Sequence, residues 1–164
     1  MLARMPKQKI LVSACLLGQE VRYDGGSCLQ RDPMWEAWLR EGRLVPICPE
    51  MAGGLGCPRP AAEIRDGRVV NVLEKDVTEA FESGAKQALA LAREHGIGMA
   101  ILKEGSPSCG CHRINDGSFS GRRIAGMGMT AALLLEHGIR PFSEEELATA
   151  AVYLKGLEES DDVE

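Results

Sequence analysis

Three cysteines of the 164-residue chain each stand where a short apolar run ends. Cys15 follows Ile10, Leu11, Val12, Ser13 and Ala14; Cys48 follows Leu44, Val45, Pro46 and Ile47; Cys109 comes soon after Met99, Ala100, Ile101 and Leu102. Short apolar runs rich in branched residues read as buried strands. Parallel strands end on a common edge of their sheet, and in open α/β folds that carboxyl edge is where ligands bind. Thiols far apart in sequence can meet there. Thiolates gathered at such an edge suit a soft metal or an iron–sulfur cluster.

Other groups sit beside these thiols. Residues 103–111 pack two hydroxyls, two thiols and two glycines into nine positions directly after a strand. Packing alone does not call for such a loop, and Gly105 and Gly110 let backbone amides approach anionic sulfur. Glu50 stands two residues beyond Cys48 and is a candidate proton-transfer group; its plainer role is an ion pair with Arg59. Ser106 is a candidate catalytic hydroxyl, or else bonds its own loop. Arg22, Asp24, Arg59 and Glu63 form a charged frame of candidate substrate contacts, joined by Ser108. Cys28, Cys57 and Cys111 read as structural or incidental thiols, and His112 as a solvated or locally bonded side chain. The Gly53-Gly54-Leu55-Gly56 run lacks the Gly-Lys-Ser/Thr ending of a phosphate loop.

The elements that must position these groups follow from pattern. Asp32-Pro33 supplies an N-cap and a first-turn proline for a short helix through Trp35, Trp38 and Leu39. Residues 49–60, rich in Gly and Pro, predict an irregular loop that walls the site. Asp66-Gly67 between apolar runs predicts a β-hairpin. Val77, Ala80, Phe81, Ala85, Ala88, Leu89 and Ala92 recur at helical spacing, so residues 76–95 form the longest helix. It crosses over to a third parallel strand at 98–102. Asn115-Asp116-Gly117 marks a turn, and a helix rich in Ala and Leu covers residues 130–136. A last strand containing Pro141 belongs at the sheet edge, because proline cannot donate to a ladder. Ser143 and Glu146 form a capping box for a terminal helix.

The expected fold is a single three-layer α/β domain over residues 9–157, with a mostly parallel sheet of about four or five strands flanked by helices. A small hairpin excursion is added to it. Residues 1–8 form an N-terminal extension and residues 158–164 an acidic, frayed tail. A net charge of −5 gives no basic footprint for duplex nucleic acid. No apolar run is long enough to span a membrane, and the first residues lack the apolar core of a signal peptide, so a cytoplasmic location is expected. In that reducing compartment six cysteines point to metal binding or catalysis rather than to disulfides.

Several runs taken together resemble one family. They are Ser13-Ala14-Cys15-Leu16-Leu17-Gly18, Arg22-Tyr23-Asp24-Gly25, Cys48-Pro49-Glu50, Gly53-Gly54-Leu55, Pro58-Arg59-Pro60-Ala61-Ala62-Glu63-Ile64 and Ser106-Pro107-Ser108-Cys109-Gly110. The chain resembles the thiouracil desulfidase family over roughly residues 10–145. The resemblance implies a [4Fe-4S] cluster held by Cys15, Cys48 and Cys109 with one iron free of protein ligands, and catalytic roles for Glu50 and Ser106. It implies a small thiolated pyrimidine such as 2-thiouracil as substrate, its sulfur on the open iron while water attacks the ring carbon. The competing reading is a non-catalytic zinc or closed-cluster cysteine module with a structural or sensing role.

Overall fold

A computed structural model of the chain describes residues 7–162. Residues 1–6 of the expected N-terminal extension and residues 163–164 of the expected tail lie outside the described residues. The core is a sheet of four parallel strands: β1 (Ile10–Ser13), β2 (Leu44–Ile47), β5 (Met99–Leu102) and β8 (Arg140–Ser143), in the order β2-β1-β5-β8. Pro46 and Pro141 lie in the two outer strands, where a missing N–H costs least.

Two-residue alternation along the strands builds two cores. Ile10 and Val12 of β1 with Met99 and Ile101 of β5 pack against Trp35 and Trp38 of α1 (Pro33–Arg40) and Leu147, Ala150 and Leu154 of α5 (Leu147–Asp162). Leu11, Ala100 and Leu102 face the other way. They meet Ala88, Leu89 and Ala92 of α3 (Thr78–Glu94) and Ala131 and Leu134 of α4 (Met129–Glu136). The result is the three-layer α/β architecture expected from the sequence.

Local signals place the ends of these elements. The Asp32 carboxylate accepts the amide of Met34 at 2.8 Å, and Pro33 opens α1. Asp66 and Gly67, both left-handed, turn the hairpin of β3 (Ala62–Arg65) and β4 (Arg68–Asn71). The Ser143–Glu146 capping box is formed ahead of α5.

Three features differ from expectation. Residues 49–52, predicted as irregular, form one helical turn, α2 (Pro49–Ala52), with Cys48 at its N-cap. Proline at the first helical position favours the turn, and close contact with α3 fixes it. A second hairpin, β6 (Arg113–Asn115) with β7 (Arg123–Ala125), returns from the predicted turn at Asn115-Asp116-Gly117. Helix α5 runs to Asp162, past the expected boundary at 157, and Glu158 forms an ion pair with the largely buried Arg43.

The α2–α3 contact is backbone against backbone. A Cβ on Gly84 would lie 1.9 Å from the Pro49 carbonyl oxygen, and one on Gly53 2.0 Å from that of Ala80. The short turn bearing Glu50 therefore seats directly on the longest helix. Gly84→Ala is expected to destabilise the fold by about 1–3 kcal/mol through this clash. Gly156→Ala, on the open face of α5 with nothing within 4 Å, is expected to stabilise it by up to about 1 kcal/mol. Urea unfolding of both variants checks the contrast, and equal effects would contradict the packing argument.

Candidate metal centre and active site

A cavity of about 460 Å³ opens at the carboxyl edge of the sheet. Cys15 after β1, Cys48 after β2 and Cys109 in the loop after β5 all line it, as do Glu50 and Ser106. Cys15 and Cys109 are buried and Cys48 is half-buried; all three are free thiols.

Burial shapes how these thiols titrate. Burial, with repulsion from Cys28 and Cys48 added, pushes the Cys15 thiol up to about 12. Burial also raises Cys109, and Cys15, Cys48 and Glu50 add to the rise. The Cys48 thiol is likewise raised by burial, with the Met51 amide and the Arg59 guanidinium opposing. Cys48 thus contributes to the rise of Cys15, and both contribute to that of Cys109.

Among the described residues, no three or more His, Cys, Asp or Glu side chains converge on a position for a single metal ion. Cys15, Cys48 and Cys109 line one cavity, and such a placement suits a polynuclear cluster ligated at separate metal atoms. Cys28, Cys57 and Cys111 do not line the cavity. Cys57 donates to the Glu20 and Arg22 carbonyls at 3.2 Å, Cys111 to that of Cys109 at 3.6 Å, and Cys28 accepts from Arg22 at 3.3 Å. The donor set facing the cavity is therefore three soft sulfurs, which fits a cluster with one metal atom left to a ligand.

Glu50 does pair with Arg59, Oε2 to Nη2 at 2.9 Å, and both side chains are largely buried. Arg59 also donates to the Gly56 carbonyl and approaches the Cys48 sulfur at 4.0 Å. The pair fixes Glu50 at the cavity wall. The Ser106 hydroxyl oxygen accepts the amides of Ser108 and Cys109, each at 3.1 Å. Both acceptor positions are spent on the loop, so its proton is left for an acceptor in the cavity.

The predicted charged frame is only partly at the site. Arg22, Arg59 and Glu63 line the cavity; Asp24 and Ser108 do not. Asp24 sits on an exposed turn, where its carboxylate takes the Gly26 amide at 2.8 Å and pairs with Arg22 at 3.6 Å. Ser108 is fully buried and bonds Thr130 at 2.7 Å, tying the thiol loop to α4. His112 bonds Glu146 at 2.6 Å, in keeping with a local role.

Sequence reasoning missed Lys103, Glu104, Phe119 and Arg123, which also line the cavity. Glu104 is the most consequential. It is buried, and its Oε1 accepts the amides of Gly105, Cys111, His112 and Arg113 at 2.9–3.2 Å. Burial raises its pKa, but these four amides outweigh it and hold the carboxyl below the usual range. One oxygen thereby folds the loop that presents Ser106 and Cys109. A glutamate two residues past a buried strand and just before glycine was the only trace of this in the sequence.

The raised thiols make stability depend on pH in one direction. Below pH 9.0 both folded and unfolded chains keep the Cys15 proton; from there towards about 12 only the unfolded chain releases it. The metal-free fold is expected to lose stability as pH rises above 9.0. Cys15→Ala is expected to flatten that slope by at most about 1.4 kcal/mol per pH unit. Urea midpoints across this range check it, and identical slopes would count against the burial argument.

Residues 10–146 match the 2-thiouracil desulfurase family. The chain is 43% identical over 148 residues to the uncharacterized protein YbbK of Bacillus subtilis (strain 168), covering 84% of this chain and 97% of that one. It is similar to a solved structure of the [4Fe-4S]-dependent thiouracil desulfidase TudS, with 52% identity and a TM-score of 0.89, over 91% of this chain and 99% of that one. With its three edge thiols, and a family match running from the first strand into the capping box of α5, the chain belongs to the 2-thiouracil desulfurase family.

Proposed function

We propose that this protein is a [4Fe-4S]-dependent desulfidase of thiolated pyrimidines such as 2-thiouracil, with Cys15, Cys48 and Cys109 holding the cluster. The meeting of those three thiols with Glu50 and Ser106 around one cavity carries the reading. The TudS likeness supports both the cofactor and the substrate class. An iron without a protein ligand would supply a soft Lewis-acid position suited to a thiocarbonyl sulfur.

The chain's own groups do the rest. Glu50, oriented by Arg59, takes a proton from water as its oxygen attacks the ring carbon that bears sulfur. Ser106, with its lone pairs held by the loop, donates its proton to an acceptor on the ring and fixes the ring's orientation. Arg22 offers further polar contact at the wall. Overall, water and a thiocarbonyl give a carbonyl and hydrogen sulfide: a C–S bond breaks, a C–O bond forms, and no electrons are transferred.

Anaerobically purified protein is expected to be brown, with about four irons and four sulfides per chain, and to convert 2-thiouracil to uracil and sulfide. Cys109→Ala is expected to lose iron and activity together. Glu50→Gln is expected to keep its iron and lose about 10²–10⁴-fold in kcat; Ser106→Ala is expected to lose about tenfold in kcat/KM. Colourless protein carrying zinc, or full activity in the Glu50 variant, would overturn the respective assignment.

A further inference from the structure

The chain has few aromatic residues: two Trp, two Tyr and three Phe. Trp35, Trp38, Phe81 and Phe142 are buried in the core, and Tyr153 packs on Phe142 with ring centroids 5.4 Å apart. The other two, Tyr23 and Phe119, line the cavity. A protein that spends its aromatics this sparingly on packing has placed two at the cavity on its sheet edge.

Phe119 is held there against local preference. Its backbone is left-handed, at φ 57°, a region that bulky L-residues avoid and that glycine would occupy without strain. Two independent clamps impose it. The buried Glu63 carboxylate accepts the amides of Gly117 at 2.9 Å and Phe119 at 3.1 Å, tying the β6–β7 turn to β3. Arg65 donates from Nε and Nη2 to the Gly117 carbonyl at 3.0 and 2.7 Å, and its guanidinium carbon lies 5.7 Å from the centre of the Phe119 ring. The ring is backed by a cation on one side and belongs to the cavity wall. A flat, preoriented aromatic surface of this kind suits a planar heteroaromatic ring.

We propose that Phe119 is the stacking platform for the pyrimidine ring of the substrate, and so a specificity-determining residue for this site. The inference rests on the function proposed above and adds what selects a pyrimidine over other thiocarbonyl compounds. Glu63 and Arg65 act through Phe119 and are positioning residues.

The test uses cluster-loaded Phe119→Leu and Phe119→Tyr protein with 2-thiouracil, with 5,6-dihydro-2-thiouracil, whose ring is not aromatic, and with uracil as a product inhibitor. Phe119→Leu is expected to raise the KM for 2-thiouracil and the inhibition constant of uracil by about tenfold, with kcat within about twofold, since one base stack carries about that factor. Its preference for the aromatic over the dihydro substrate is expected to shrink by a similar factor, and Phe119→Tyr is expected to restore both. Iron content and thermal midpoint report on folding; if the Leu variant fails to load iron, Phe119→Met replaces it.

Unchanged KM and inhibition constants, or a loss confined to kcat, would overturn the stacking role while leaving the desulfidase reading intact. If the wild type turns over no thiopyrimidine, calorimetry with uracil and 2-thiouracil decides the matter. Binding weakened by Phe119→Leu would then sustain the platform without the reaction, and no binding by the wild type would overturn both.

Discussion

Parallel pairing obliges neighbouring strands to end on the same side, and the rest of this molecule follows from that constraint. Register ties Val12 to Pro46 and to Ile101, so the chain segments leaving β1, β2 and β5 emerge side by side. Residues separated by more than ninety positions in sequence, Cys15 and Cys109, thereby line one cavity without any long loop having to reach across. The two helical layers, packed on alternate side chains of those strands, keep that edge from shifting.

What the strands bring near, a few polar contacts then aim. The four amides gathered by Glu104 Oε1 curl the thiol loop back on itself, and Gly110 lets it close: a Cβ there would stand 2.6 Å from the Arg113 carbonyl and 2.8 Å from that of Ser106. On the opposite wall, Arg59 fixes Glu50 on a helical turn that is itself pressed against α3. The third wall comes from the two hairpins, joined through Glu63 and Arg65. Each functional group is thus held by a partner that is not itself reactive.

The sequence disclosed the parts of this arrangement that depend on pattern and local chemistry. Strands read from branched apolar runs, α1 from Asp32-Pro33, the hairpin from Asp66-Gly67 and the capping box from Ser143 and Glu146 all stand as read. Hidden were the features decided by contacts distant in the chain. The turn α2 looks irregular until α3 lies beneath it, and β7, exposed throughout, carries no alternation that would mark it as a strand. Asp24 and Ser108 have the chemistry of ligand-binding groups, but nearby amides and Thr130 claim them. Phe119 and Glu104 gave the reverse case: one looks like packing and the other like surface charge until the loops around them close.

The burial of the thiols also bears on how the chain behaves chemically without a metal. Only thiolates attack electrophiles or exchange with disulfides at appreciable rates, and burial raises the Cys15, Cys48 and Cys109 thiols above their ordinary range. Without a metal these sulfurs are sluggish nucleophiles. If the three thiols hold the cluster as proposed, its insertion expels protons, because each sulfur must surrender its hydrogen to become a ligand.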